Sequence, residues 1–152
     1  SPKNGLRTPF LRKLPLWPYF RDYFPLRMIK TADLDPKEKY VFGYHPHGII
    51  SMGAWGCFAT EATEFSKKFP GINRRLLTLA INFRAPLTRE ILLWHGVCDA
   101  SRESIRNILA RGPGSAVVLV VGGAQEALFT QPKTNRIFLE NRKGFVREAI
   151  RG

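Results

Sequence analysis

Cysteine is nearly absent from this 152-residue chain, which holds only Cys57 and Cys98. Two cysteines on segments that read as different elements make no disulfide framework. That excludes a stapled secreted scaffold and fits a reducing, cytosol-facing location. Long apolar runs are missing too. The longest, AVVLVV at 116–121, has strand length, against the roughly 18 residues that a spanning helix needs. Membrane contact is therefore expected to be peripheral for this stretch, or to use spans outside it. Histidine is scarce, and no C-x-x-C or H-E-x-x-H spacing occurs, so the strong zinc patterns are excluded and no metal is expected. Neither a signal peptide nor a transit-peptide pattern begins at Ser1.

Acidic residues are also in short supply, with 12 Asp+Glu against 24 Lys+Arg and a net charge of +12. Half of that excess falls in the first thirty residues, where Lys3, Arg7, Arg12, Lys13, Arg21, Arg27 and Lys30 oppose Asp22 alone, a net of +6. The same segment carries Phe10, Trp17, Tyr19, Phe20, Tyr23 and Phe24. Cations interleaved with aromatic rings suit a membrane interface, where each basic residue near anionic lipid is worth about 1 kcal/mol. They equally suit nucleic acid, where cations meet phosphate and rings stack on bases. Charge alone does not separate these partners.

The length is that of one modest domain able to bury its own core. The chain starts without methionine and stops directly after RKGFVREAIRG, so it is expected to be a fragment, incomplete at both ends. Residues 1–39 contain six prolines, a density that breaks long helices and predicts an extended, basic and aromatic arm laid on a membrane surface. From Tyr40 the texture changes, and 40–152 reads as a domain portion. YVFGY (40–44) predicts a buried strand, LLTLAINF (76–83) a second, GVCDA (96–100) a third and SAVVLVVGG (115–123) a fourth.

Phe58, Ala62, Phe65 and Phe69 recur at helical steps and predict one amphipathic helix, with Glu64 and Lys68 paired on another face. Pro86 opens PLTREILLW, since proline is well tolerated in a first helical turn. A further helix carries Ile105, Ile108 and Leu109 and stops at Gly112, and NRKGFVREAIRG predicts the last. Strands alternating with helices predict an α/β fold with a mostly parallel sheet. Ligands in such sheets gather at the carboxyl ends of strands. His45 and His47, Asp99 to Arg102, and Gly122 to Glu126 all follow strands directly, so three polar clusters are expected on one rim.

The sharpest motif is His45-Pro46-His47-Gly48. As a zinc clip it needs His95 or Cys98 to complete a set, at spacings that no strong zinc motif uses. A serine-hydrolase elbow needs G-x-S-x-G, and GIISMG places one residue too many before Ser51. A phosphate loop fails as well, because GPGSAVVLVVGG has no Gly-Lys-Ser/Thr. Acyl transfer fits better: a histidine can deprotonate an alcohol as it attacks a thioester, while backbone N–H groups stabilise the oxyanion. Pro46 would stiffen that loop and Gly48 would let its backbone approach substrate. A hydrogen-bonded turn is the plain alternative.

Glu126 would orient the base or hold a substrate hydroxyl, although a first-turn glutamate of a helix reads the same way. Arg102 would hold a phosphate or polar head, or stand as an exposed helix arginine. Arg142 and Lys143, ahead of Gly144 and Phe145, would grip the phosphates of coenzyme A, or form a solvated basic face.

Six blocks together resemble one family. They are RDYFPLRMIKT, with Tyr23-Phe24-Pro25, FGYHPHGI, TEATEFSKKFPGI, GVCDASRESI, VVGGAQEAL and NRKGFVREAI. In order and spacing they are similar to the type 2 diacylglycerol O-acyltransferases, with their monoacylglycerol- and wax-ester-synthesising relatives. The resemblance implies a glycerolipid-acyltransferase-like fold whose membrane hairpin lies ahead of Ser1 and whose remainder lies beyond Gly152. It implies acyl-CoA-dependent esterification of diacylglycerol to triacylglycerol at the cytosolic face of the endoplasmic reticulum membrane and at the lipid droplet. Acyl-CoA would be a co-substrate and no cofactor would be needed.

Within that family His45 to Gly48 is the active-site motif. Wider glycerolipid acyltransferases use His-x4-Asp, but here Ile50 and Met52 stand where the aspartate would. The resemblance therefore points to Glu126 for the vacant role and leaves open which histidine is the base. The expected partners are acyl-CoA, diacylglycerol and a membrane surface, and not nucleic acid. A relative using monoacylglycerol or a fatty alcohol, and a non-enzymatic basic module binding membrane or nucleic acid, are the competing readings.

Overall fold

The computed structural model describes residues 1–3, 8–129, 131 and 137–151. Arg7 of the basic arm and the terminal Gly152 lie outside them. Four strands, β1 (Tyr40–Tyr44), β2 (Asn73–Thr78), β3 (Cys98–Asp99) and β4 (Ser115–Val120), form one sheet in the order β1-β4-β2-β3. Every pairing is parallel: Tyr40 stands opposite Ala116, Tyr44 opposite Val120, Asn73 opposite Ser115, and Leu77 opposite Cys98. A central parallel strand is covered on both faces and therefore reads as continuous apolar sequence. In β4, Val118 packs on one face with Leu76, Phe83, Leu93 and Val97, while Val117 packs on the other with Leu77, Ile105, Ile108 and Leu109. The expected α/β fold with a parallel sheet is what the chain forms.

The helices are α1 (Pro9–Arg12), α2 (Leu16–Tyr23), α3 (Met52–Ala54), α4 (Phe65–Lys68), α5 (Pro86–Trp94), α6 (Arg102–Leu109), α7 (Gly123–Leu128) and α8 (Gly144–Arg151). α3 runs into a π-helical turn at Trp55–Ala59, and a 3-10 turn covers Ala80–Phe83. Among the described residues no helix is long and apolar enough to cross a membrane. Helix α5 has the bounds its proline implied. Helix α6 starts on Ser101, whose hydroxyl accepts the Ser104 N–H as an N-cap.

Three expectations are corrected. The stripe Phe58, Ala62, Phe65 and Phe69 is no single helix: the Thr60 hydroxyl donates to Gly56 O at 2.7 Å and accepts the Ala62 N–H at 3.1 Å, diverting the backbone between the π turn and α4. Glu64 then takes a left-handed conformation, with φ of 57°, and pairs with Lys67 instead of Lys68. Strand β2 begins three residues earlier than its apolar run, because Arg74 and Arg75 are buried in it at 0% and 6% exposure. Its last predicted residues form the 3-10 turn instead.

The arm is not extended either. It forms α1 and α2, and Arg12 is buried, donating to His95 O at 2.9 Å and Phe58 O at 2.7 Å. Thr8 N–H donates to Trp94 O and Asp99 N–H to Pro2 O, so this segment is tied to the sheet domain. The Trp17 ring packs edge-on to both Trp55 and His95.

Candidate functional site

Strands β1 and β4 are neighbours in register, so the segments leaving their carboxyl ends emerge side by side. One is the 45–48 loop and the other the Gly122–Gly123 turn into α7. Glu126 joins them. It is 1% exposed, and its Oε2 accepts the His47 backbone N–H at 2.9 Å while Oε1 accepts the Phe138 N–H at 3.2 Å. The double glycine makes this possible. A Cβ on Gly122 would lie 1.6 Å from Glu126 Oε2, and Gly123 has φ of +60°.

His47 is fixed from several sides. Its carbonyl accepts the Ser51 hydroxyl at 3.0 Å, and its ring Nδ1 lies 2.7 Å from Gly48 O. A carbonyl oxygen only accepts, so in the neutral ring Nδ1 is the protonated nitrogen and Nε2 the one with the lone pair. His47 is among the residues lining a cavity of about 260 Å³ walled by Trp55, Leu76, Leu92, Val97, Leu119 and Val120. Ser51, Thr78 and Asn82 are its polar members, with the Asn82 amide donating to the Thr78 hydroxyl at 2.7 Å. A small, mostly apolar cavity with a histidine and few other polar groups on its wall has room for a short apolar segment.

His45 is placed differently. It is half-buried and does not line the cavity. Its ring stands beside Gly43, where a Cβ would meet His45 Nε2 at 3.6 Å, and its Nδ1 is buried with no hydrogen-bond partner among the described residues. Pro46, between the two histidines, is exposed, and Gly48 has φ of +62°. The structure therefore separates the two histidines, which the sequence left equivalent.

Of the three clusters expected on one rim, two meet directly. The third contributes Ala100 to the cavity wall. Asp99 instead braces the start of α6, its Oδ1 accepting the N–H of the capping Ser101 at 3.1 Å and the Ser104 hydroxyl at 2.6 Å. Burial pushes the Asp99 carboxyl up, but these bonds and the nearby Lys3 charge prevail and hold it below its ordinary value. Arg102 is exposed on the first turn of α6, outside the cavity wall.

Arg142 reaches back to the glycine turn, its Nη2 lying 3.5 Å from Gly122 O and 3.4 Å from Gln125 Oε1. Lys143 and Gly144 are exposed and Phe145 half-buried at the start of α8, which is pinned to α6 by a bidentate Arg106–Glu148 pair at 2.7 and 3.0 Å. Tyr23, Phe24 and Pro25 are exposed at the end of α2, with Pro25 on a separate cleft that shares no lining residue with the histidine cavity. Among the described residues, no three His, Cys, Asp or Glu side chains form a group able to hold a metal.

Sequence reasoning met Ser51 only as a misplaced nucleophile, whereas here it holds the His47 carbonyl. Thr78 and Asn82 carried no signal, because their position on the rim depends on where β2 ends.

The family model for diacylglycerol acyltransferase matches residues 1–152, the whole chain. Diacylglycerol O-acyltransferase 2B of Umbelopsis ramanniana is 54% identical over 152 residues, covering 99% of this chain and 44% of that protein. Diacylglycerol O-acyltransferase 2 of Homo sapiens is 51% identical over 150 residues, covering 98% and 39%, and that of Bos taurus is 51% identical, covering 98% and 42%. The chain thus spans about two-fifths of the length of these relatives. No solved structure matches it.

Proposed function

Because the chain belongs to the diacylglycerol acyltransferase family, we propose that it supplies the base and part of the acyl cavity of an enzyme that transfers a fatty acyl group from acyl-CoA to the free hydroxyl of diacylglycerol. The observation that carries this reading is His47, its ring Nδ1 2.7 Å from Gly48 O, among the residues that line a mostly apolar cavity at the carboxyl ends of the strands. As the hydroxyl oxygen bonds to the thioester carbonyl carbon, His47 Nε2 takes its proton. The tetrahedral intermediate collapses, the carbon–sulfur bond breaks, and the coenzyme A sulfur leaves with the proton returned from the imidazolium. Triacylglycerol and coenzyme A are the products, and no cofactor is required.

The cavity is below the roughly 300–1,000 Å³ of ordinary ligand pockets, which fits one end of an acyl chain and not a whole lipid. Its surroundings fit a lipid source. Ile49, Ile50, Leu79, Ile81 and Leu87 are 56–74% exposed, and Ile50 and Leu79 also line the cavity. Such a rim supports delivery of diacylglycerol from a membrane, on this reading the cytosolic face of the endoplasmic reticulum or the surface of a lipid droplet. A purely electrostatic binding module would leave the histidine and its cavity without a purpose. Arg142 and Lys143 are the cations we assign to the coenzyme A phosphates; Arg102 lies outside the cavity wall.

The test is an acceptor competition with the full-length protein in lipid nanodiscs, supplied with labelled acyl-CoA and equal diacylglycerol, monoacylglycerol and fatty alcohol. Triacylglycerol should dominate, with one coenzyme A released per ester formed. A dominant wax ester or diacylglycerol product would replace the acceptor in this reading, and absence of coenzyme A release would remove the reaction itself.

A further inference from the structure

We propose that Glu126 is a positioning residue that acts through the backbone of His47, holding the peptide that aims the imidazole, and takes no part in proton transfer. This rests on His47 being the base. The vacant aspartate of the sequence pattern invited a carboxylate on the ring, yet the ring nitrogen is already held by Gly48 O, and the Glu126 oxygen lies on the main-chain N–H. His47 is gripped at both of its main-chain polar groups, its N–H by Glu126 and its carbonyl by Ser51. The second Glu126 oxygen holds Phe138 N–H, so one buried side chain ties the histidine loop to the segment that leads into Arg142 and α8.

The chemistry explains the residue type. Two backbone donors arrive from two segments, and the carboxyl group presents an oxygen to each. An amide of the same shape would turn its NH2 group against one of them. Gly122 belongs to the same device. A Cβ there would lie 1.6 Å from Oε2, 2.2 Å from the carboxyl carbon and 2.6 Å from Cβ of Glu126, so the whole side chain would have to move.

The experiment uses the full-length enzyme and four variants: Glu126→Gln, Glu126→Ala, Gly122→Ala and the double variant Gly122→Ala/Glu126→Ala. Two readouts are taken, the pH profile of acyl transfer with separate kcat and KM, and amide hydrogen exchange over a peptide containing residues 45–50. A misplacement of about 1 Å in a reacting group costs on the order of 100-fold in rate. Glu126→Ala should therefore lose roughly that much kcat, and Glu126→Gln, which keeps one acceptor, about tenfold. In both, KM for acyl-CoA should stay within about threefold, the pH midpoint should not move, and exchange in the loop should accelerate. Gly122→Ala should behave like Glu126→Ala, and adding it to Glu126→Ala should change little more.

Unchanged loop exchange in Glu126→Gln and Glu126→Ala would overturn the latch. Faster exchange with full kcat would overturn its role in aiming the base. A pH midpoint displaced by about one unit in Glu126→Gln would mean that the carboxylate acts on the titrating ring. Failure of the underlying reading is separable: a His47→Ala enzyme at full rate would overturn the base assignment whatever the loop exchange shows.

Discussion

The amino and carboxyl ends of the same strands bury charge in opposite ways. At the amino end Arg74, fully buried in β2, donates to Phe58 O at 3.1 Å, Thr60 O at 2.7 Å, Glu61 Oε1 at 2.7 Å and Ser66 Oγ at 3.0 Å, and stacks on Phe65 at 4.4 Å. Burial pushes the Glu61 carboxyl up, but the Arg74 charge and the bonds from Arg74 and Ser66 outweigh it, so the carboxyl sits below its ordinary value. At the carboxyl end Glu126 is as deeply buried and also bonded to two segments. The residue it holds, however, lines a cavity. The first network closes on itself and binds the arm and helices to the sheet. The second holds a histidine that lines a cavity, and on the proposed reading proton transfer takes place there.

Substitutions at the closed end should therefore change stability and leave the pH profile of catalysis alone. Arg74→Ala removes one partner of a buried ion pair and should destabilise the fold by about 3–5 kcal/mol, measured by denaturant unfolding. Arg12→Ala should cost less, about 1–3 kcal/mol, because it orphans His95 O while Phe58 O still accepts from Arg74. It should also speed proteolysis of the arm near α2, a second way to see that this segment is docked. At the open end Ser51→Ala should be mild, about 0.5–1.5 kcal/mol of stability and a several-fold loss of kcat, since Glu126 still holds the other side of the peptide.

His95 offers a pH-dependent version of the same contrast. It is buried between Trp17 and Trp55, with ring centroids 5.3 and 4.9 Å away. Burial lowers its pKa and the adjacent Arg12 charge lowers it further, against a bond to Ile91 O that raises it. The folded chain therefore binds this proton less readily than the unfolded chain, so the contribution is fully present above the ordinary value of 6.5 and is lost as pH falls below it. Thermal melts of His95→Phe between pH 7 and 5 should fall less steeply than those of the unaltered chain. An unaltered slope would show that other groups set the acid response.

The strands were legible because apolar runs such as AVVLVV are what a doubly covered parallel strand requires, and α5 was legible because Pro86 marks a first turn. The start of β2 was not, since NRR reads as polar surface until Arg74 is found inside a cage of carbonyls contributed by a different segment. Nor was the break at Thr60, where a local side-chain bond overrides a helical stripe whose members Ala62 and Phe65 are nonetheless buried. At the site, the motif and its approach to Glu126 followed from adjacent strand ends. The inequality of His45 and His47 depends on rotamers and on where Gly48 O points, which no spacing records.

The central claim, that His47 and not His45 is the base, is tested most directly by measuring acyl transfer in full-length His47→Ala and His45→Ala enzymes at matched expression across pH 5 to 9. The account predicts that His47→Ala loses on the order of 100- to 10,000-fold in kcat, the range expected for removal of a general base. His45→Ala should keep a measurable rate with an unmoved pH midpoint. The reverse pattern, a silent His45→Ala enzyme beside an active His47→Ala enzyme, would contradict it.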